Sequence, residues 1–338
     1  MPGAARHEGS AHGMTGSPLK IISIIGWCRN GSTILGNVLN EIPGFFHAGE
    51  LHFLWKNAAG LGANHWCGCG EPLTRCPLWS RLLSAGQPAG MPAEAYARAV
   101  IHRQRACVRT RHTWRVLGRG LRSGEVREHA ALMTRTYHGI AEHTGASVIV
   151  DSTKIPGEAA LLPHLTGVTP YFLHLVRDPR AAAGSWRERK QYCDPMSAAR
   201  STAYWDGFNL ASRAVTRRYP DQSLLLRYED FIADPAGTVG AILRWCGADP
   251  GANPVRGRTV GLHTNHTVTG NPDRFRTGDT LIRPTDDAWR DCLPGPARLT
   301  AQALSWPLSH RYGYRSRGVR VTTVARARVP AARATDET

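Results

Sequence analysis

The sequence predicts an α/β fold with a mostly parallel central sheet covered by helices on both faces, and three observations carry that prediction. Short apolar runs rich in β-branched or aliphatic residues recur along the chain, each followed by a stretch of helical composition. The runs are nearly continuous in apolar character, as in strands buried on both faces. Asp178-Pro179 supplies an N-cap and a first helical residue at the end of one run, and Asp234-Pro235 repeats that cap logic further on. In such a sheet ligands bind at the carboxyl ends of the strands, so functional side chains are sought there.

Taken in order, the first run lies in Leu19–Ile25, with Ile21, Ile22, Ile24 and Ile25 as its apolar residues. It meets the tight loop Gly26–Gly31 (GWCRNG), and Ser32-Thr33 open a segment with helical apolar spacing at Ile34, Leu35, Val38 and Leu39. Pro43–Leu51 reads as a turn and a short segment carrying the carboxylate of Glu50. Pro92–Leu117 and Glu125–His143 are helical and rich in Arg and His, an insertion of about residues 92–143. Ser147–Val150 is the next strand, running into Asp151-Ser152-Thr153-Lys154, and Glu158–Leu165 is a short helix. Tyr171–Val176 is a third strand, ending at Arg177, and Met196–Tyr219 is a long helix. Ser223–Leu226 is a fourth strand, leading into Arg227-Tyr228-Glu229-Asp230, with a helix to about Cys246. Asp249–Leu281, rich in Gly, Pro, Asn and Thr, reads as an extended loop, and Asp286–Trp306 as short helical pieces. No internal repeat is present.

The 338 residues suffice for a substantial core, and the formal net charge of +16 implies an anionic partner. The expected organisation is one domain over residues 19–315, with a flexible tail at 1–18 and a basic, disordered tail at 316–338. No run of about 20 apolar residues exists, so a membrane span is not expected and a soluble, cytoplasmic protein follows by default. Of the eight cysteines, Cys67, Cys69 and Cys76 cluster. A zinc site needs a fourth ligand, which His65 or His52 would supply, but the spacing is not that of a ribbon or finger. The expectation is a tight Gly/Cys-rich turn without metal, a disulfide being disfavoured in the cytoplasm. Cys28, Cys107, Cys193, Cys246 and Cys292 read as buried small hydrophobes.

Strand, glycine-bearing loop and helix N-terminus present several backbone N–H groups to one point, which suits a phosphate. Arg29 adds a fixed positive charge, and Ser32 and Thr33 add hydroxyl donors. The spacing is close to a Walker A loop, but no lysine follows Gly31; the cation sits inside the loop at Arg29. A P-loop-NTPase-like three-layer sandwich is therefore the expected form of the fold. Arg177 and Ser185 stand eight residues apart, so a helix starting at Asp178 carries Ser185 about two turns along, where both can grip one phosphate.

The loop Arg29-Asn30-Gly31-Ser32-Thr33 resembles the 5′-phosphosulfate loop of sulfotransferases that use 3′-phosphoadenosine 5′-phosphosulfate (PAPS), with Asn30 in place of the usual serine. The Arg177-x7-Ser185 spacing is similar to the family's 3′-phosphate motif. Val150-Asp151-Ser152-Thr153-Lys154 resembles the VDSSK motif of a bacterial branch, and Leu226-Arg227-Tyr228-Glu229-Asp230 resembles its RYEDL strand end, whose tyrosine lies near the adenine. His266-Thr267-Val268-Thr269-Gly270-Asn271-Pro272-Asp273-Arg274-Phe275-Arg276 resembles its carboxy-terminal GNPxRFR loop, which closes over the nucleotide. The Cys67–Cys76 cluster also has the look of this branch. The resemblance spans about Leu19 to Trp289.

It implies transfer of a sulfuryl group from PAPS, without a metal, to a hydroxyl or amine of a small-molecule, carbohydrate or lipid acceptor. Cofactor binding then falls to Arg29, Asn30, Gly31, Ser32, Thr33, Arg177, Ser185, Tyr228, Asn271, Arg274 and Arg276. Catalysis falls to Arg29 and Lys154, aimed at the developing charge, and to Glu50 as general base. Glu50 matches the position of the glutamate base in several relatives, with His47 and His52 as nearby rivals. The acceptor pocket is expected between the insertion and Leu51–Trp79, whose aromatic residues, with Trp114 of the insertion, are Phe53, Trp55, Trp66 and Trp79.

Two other readings stay open on sequence alone. Asp151, ending an apolar strand, is placed as the Mg²⁺ acid of an ATP-dependent kinase would be. A non-catalytic polyanion binder is the other; nucleic acid is not the expected partner, and oligomeric state is not legible.

Overall fold

The computed structural model describes residues 18–189, 194–285 and 287–314. The tails expected at 1–18 and 316–338 fall outside the described residues, except for Pro18. Five strands form one parallel sheet: β1 (Leu19–Ile25), β2 (Phe45–Gly49), β3 (Val148–Lys154), β4 (Val168–Val176) and β5 (Ser223–Arg227). Their spatial order is β2-β3-β1-β4-β5, which puts β1 in the middle with crossovers on either side.

The two-sided burial expected of β1 is seen residue by residue. Ile21 and Ile25 enter one core cluster, whereas Ile22 and Ile24 enter the other, and all four are fully buried. Burying each such side chain stabilises the fold by about 1.5–3 kcal/mol. In β3, Ile149 joins the first cluster while Val148 and Val150 join the second.

The helices divide between the two faces. The chain carries α1 (Ser32–Asn40), α2 (Leu54–Ala58), α3 (Pro77–Gly86), α4 (Ala93–Cys107), α5 (Thr113–Arg119), α6 (Gly124–Thr144) and α7 (Pro156–Ala159). It continues with α8 (Pro179–Arg187), α9 (Ala198–Arg218), α10 (Tyr228–Ala233), α11 (Pro235–Trp245), α12 (Trp289–Cys292) and α13 (Gly295–Arg311). Leu35 and Val38 of α1, Phe231 of α10 and Val239 of α11 cover one face; Leu54 of α2, Val100 of α4 and Met133 of α6 cover the other. The result is the three-layer α/β sandwich of P-loop-like folds. As the sequence predicts, Asp178 and Asp234 cap α8 and α11, accepting from the N–H groups of Arg180 and Gly237.

Three refinements of the expectation bear on the site. The short segment expected after the turn at Pro43 is the edge strand β2, residues 45–49, paired with β3. Residues 249–281 are not one extended loop: Thr259–Leu262 (β6) and Gly278–Leu281 (β7) form an antiparallel ribbon. The intervening strap, 263–277, crosses the ends of the sheet, where Val268 N–H donates to the Ala48 carbonyl and Glu50 N–H donates to the Val268 carbonyl. The C-terminal pieces include one long helix, α13.

The pairing of β3 is irregular near its end on both sides. Against β1, Ser23 faces Asp151 and Ile25 faces Lys154, so β3 carries one extra residue. Against β2, His47 faces Val150 and Gly49 faces Asp151, so here β2 carries the extra residue.

Candidate active site

All five strands of the main sheet deliver a group at their carboxyl ends to one cavity of about 480 Å³. The loop after β1 gives Cys28, Arg29, Gly31, Ser32 and Thr33; β2 leads to Glu50, β3 ends in Lys154, β4 leads to Arg177 and β5 to Tyr228. Ser185 and Trp186 of α8, Lys56 and Asn57 of α2, Phe53, Asn64, and Thr269 to Asn271 of the strap complete much of the wall. The position is the topological switch point of the sheet, where the crossovers diverge from β1.

The first loop is shaped by close approach. A Cβ on Gly26 would lie 2.4 Å from the Leu175 carbonyl oxygen, and one on Gly31 would lie 2.2 Å from the Tyr228 ring, so both positions require glycine. Both also have positive φ, +132° and +85°. Trp27 anchors the loop from beneath, stacked on Trp186 and Tyr204 at 5.5 and 5.1 Å between ring centroids.

Three non-glycine residues among those described have positive φ: Arg29 (70°), Lys154 (69°) and Thr269 (58°). All three line the cavity. Each such conformation costs about 1–3 kcal/mol and is held by its surroundings, a pattern concentrated at functional sites.

The two anion motifs form one constellation. Arg29 Nε donates to Ser185 Oγ at 2.9 Å, and Arg177 Nη1 donates to the Arg29 carbonyl at 2.7 Å. The Arg177 guanidinium lies 5.1 Å from the centroid of the Tyr228 ring. Asn30 is placed differently: its side chain is buried, with Nδ2 donating to the Leu175 carbonyl and Oδ1 accepting from Ser32 N–H. It ties the loop to β4 and is absent from the wall.

In the same cavity Lys154 Nζ donates to Glu50 Oε1 at 2.6 Å and to the Ser152 carbonyl at 2.7 Å. Burial alone would lower the Lys154 pKa, but the Glu50 carboxylate, with lesser help from neighbouring groups, outweighs it and holds the ammonium above the ordinary lysine range. The rival bases point elsewhere. His47 is enclosed against Gly36 and bonds Ser152 Oγ at 3.0 Å, and burial lowers its pKa to about 3. His52 Nδ1 pairs with Glu158 at 2.6 Å, outside the cavity. Asp151 is also turned inward, accepting from Tyr137 Oη at 2.6 Å and Thr153 N–H at 2.8 Å.

The strap residues separate by role. Asn271 lines the cavity. Arg274 is buried beneath it, donating to the carbonyls of Gly270 and Trp66 and to Asn64 Oδ1. Arg276 is exposed and paired with Asp273 at 2.8 Å. Thus Arg274 braces the strap, and Arg276 stands outside the wall.

The residues expected around the acceptor divide between the cavity wall, the core and the surface. Phe53 lines the cavity, but no residue of the insertion 92–143 does, because α4 to α6 pack on the sheet face. Trp55 and Trp79 are core residues, and Trp66 and Trp114 are exposed. Cys107 and Cys246 are buried as expected, but Cys28 lines the cavity and Cys292 is exposed; Cys193 lies outside the described residues. Sequence reasoning missed Lys56, Asn57 and Asn64, which follow none of the strand-forming runs and carry no spacing signal.

A model of the Sulfotransferase family matches residues 22–250 of this chain. No curated protein matches it. Among solved structures, the sulfotransferase domain from the Synechococcus PCC 7002 olefin synthase is 20% identical, covering 88% of this chain and 96% of its own, with a TM-score of 0.47. The sulfotransferase domain from the curacin biosynthetic pathway is 16% identical, covering 87% and 98%, with a TM-score of 0.46. A sulfotransferase from Alicyclobacillus acidocaldarius is 14% identical, covering 86% and 96%, with a TM-score of 0.33.

Proposed function

This chain belongs to the sulfotransferase family, and we propose that it moves a sulfuryl group from PAPS to a hydroxyl or amine of a small-molecule, carbohydrate or lipid acceptor. The observation that carries the reading is the joining of the Arg29 loop to Arg177 and Ser185 in one cavity wall. The loop amides at the N-terminus of α1, with Arg29, Ser32 and Thr33, suit the 5′-phosphosulfate end. Arg177 and Ser185 suit the 3′-phosphate, and Tyr228 and Asn271 the nucleoside. Arg274 contributes by bracing the strap, and the exposed Arg276 only by reaching the rim.

The donor supplies an activated sulfuryl group when bound. Arg29 and the loop amides are fixed donors for charge developing on the leaving phosphate oxygens, and fixed donors need no reorganisation as charge forms. Glu50 accepts the acceptor's proton, and Lys154 orients its carboxylate. Phe53, Ile34 and Trp186 give the acceptor side apolar surface. Against a kinase using ATP and Mg²⁺, Asp151, the acid placed as a Mg²⁺ ligand would be, is engaged by Tyr137 and Thr153 and does not line the cavity.

Calorimetric titration with adenosine 3′,5′-bisphosphate, and separately with ADP and with ATP plus Mg²⁺, tests the reading. Metal-independent preference for the bisphosphate is expected. Preference for ATP with Mg²⁺ would overturn it in favour of a kinase, and binding of none of them would leave the basic surface as the functional feature.

A further inference from the structure

Cys67, Cys69, Cys76 and His266 come together although His266 is 190 positions beyond Cys76. Their candidate ligand atoms all lie within 4.8 Å of one another. His266 Nδ1 is 3.2 Å from Cys76 Sγ and 3.8 Å from Cys67 Sγ. A tetrahedral zinc with Zn–S bonds of about 2.3 Å has ligand-to-ligand edges of about 3.8 Å, so no pair needs to change its separation by more than about 1 Å. Neither histidine suggested by sequence spacing completes the set: His52 pairs with Glu158, and the fourth member comes from the strap.

We propose that these three cysteines and His266 hold one structural zinc ion that fastens the strap to the Cys-rich hairpin. The hairpin is preformed: Cys67 N–H donates to the Glu71 carbonyl, Gly70 N–H to the Cys67 carbonyl, and Cys76 N–H to the Pro72 carbonyl. Gly68 N–H donates to the Thr267 carbonyl, and Trp79 Nε1 donates to the His266 carbonyl at 2.7 Å. These bonds present the histidine ring to the thiols from the opposite segment. Cys67 and Cys76 are buried, and Cys69 and His266 are half-buried. Four protein ligands leave no open coordination position, which marks a structural rather than a hydrolytic metal. Binding releases the thiol protons to solvent and involves no redox change. A disulfide would use two of the thiols and leave the third and the imidazole without a shared purpose. Since residues 269–271 of the strap line the cavity, the ion would set the height of the cavity roof.

The test uses the full chain, purified under reductant, with zinc measured by elemental mass spectrometry and cobalt by absorption. The expected result is about one zinc per chain, replaceable by cobalt with thiolate charge-transfer and tetrahedral d–d bands. Cys69→Ser or Cys76→Ser should lower zinc at least about tenfold, His266→Cys should retain it, and Cys292→Ser should not change it. Metal removal should speed tryptic cleavage after Arg276 roughly tenfold by freeing the strap. Reduced wild-type protein that holds no zinc and takes up neither zinc nor cobalt overturns the proposal, whether or not the variants fold. So does a disulfide among the three cysteines in protein alkylated at cell lysis. None of these readouts depends on the sulfuryl donor or acceptor.

Discussion

Lys154 Nζ and Glu50 Oε1 lie 2.6 Å apart, joining residues 104 positions distant through the adjacency of β2 and β3. Their burial is unequal: the lysine side chain is 3% exposed and the glutamate 16%. The lysine is therefore the fixed member, tied also to the Ser152 carbonyl, and the carboxylate is the more accessible member of the pair.

Glu50→Gln should leave adenosine bisphosphate binding within about threefold of wild type while cutting kcat by about 10²–10⁴. It should also destabilise the fold by about 1–3 kcal/mol, because a buried ammonium loses its partner. Since the folded pKa of Lys154 is raised, the pair stabilises below the unfolded value of about 10.4, and that contribution fades as pH rises through the folded value. Steady-state kinetics, calorimetry and denaturant titration separate these effects. Full activity in the variant would remove Glu50 from the reaction.

Arg29→Ala and Arg177→Ala should each weaken bisphosphate binding by about 10- to 100-fold, the scale of one or two charge-assisted hydrogen bonds. Their losses should not add, because Arg177 also supports the Arg29 backbone. Calorimetry on the two variants and the double variant checks this; independent losses would argue against one constellation.

Gly31→Ala should cost about 1–3 kcal/mol and displace the Tyr228 ring, which an added Cβ would meet at 2.2 Å. Adding Tyr228→Ala should recover part of the stability but none of the nucleotide affinity. Thermal melts and titrations of the single and double variants distinguish the clash from the backbone strain that remains.

Two acidic residues give stability opposite pH dependences. Burial raises Glu229 to about 7; Asp178 N–H and Tyr314 Oη bond its carboxyl oxygens. The folded state thus binds its proton more tightly, and this contribution to stability is lost as pH rises from about 4.5 to 7. For Glu158 burial pushes upward, but His129 and His52 outweigh it and lower the pKa to about 2. Its contribution is present above about pH 4.5 and lost as pH falls toward 2. Denaturant titration across pH should show Glu229→Gln flattening the first limb by on the order of 1–3 kcal/mol and Glu158→Gln abolishing part of the second. Parallel profiles for wild type and variants would contradict both assignments.

The strands legible in the sequence were those with continuous aliphatic runs, β1, β3, β4 and β5. Phe45–Gly49 was not, because an edge strand of five residues containing His and Gly has no run to read. The site residues that follow aliphatic runs, Arg29, Lys154, Arg177 and Tyr228, were legible for the same reason. Arg274 and Arg276 were indistinguishable: two residues apart at a 3₁₀ turn, one is buried and the other exposed, and only the strap's path decides which. The helical insertion looked like a pocket wall because its Arg, His and aromatic residues suit one, yet its apolar side packs onto the sheet. His266 carries no local mark of its association with the cysteines.

The irregular pairing at the end of β3 works like a vernier. In a strictly alternating sheet, groups at the same height on neighbouring strands stay in fixed phase, and a single added residue shifts one strand against the next. The extra residue in β2 and the one in β3 set the phase at which Glu50 and Lys154 meet. A one-residue deletion just before Gly49 would leave the interior aliphatic pairs of β1 and β4 in place while rotating the carboxylate out of phase with its lysine. The length of these two strands, and not only their composition, thereby fixes where the carboxylate and the ammonium meet.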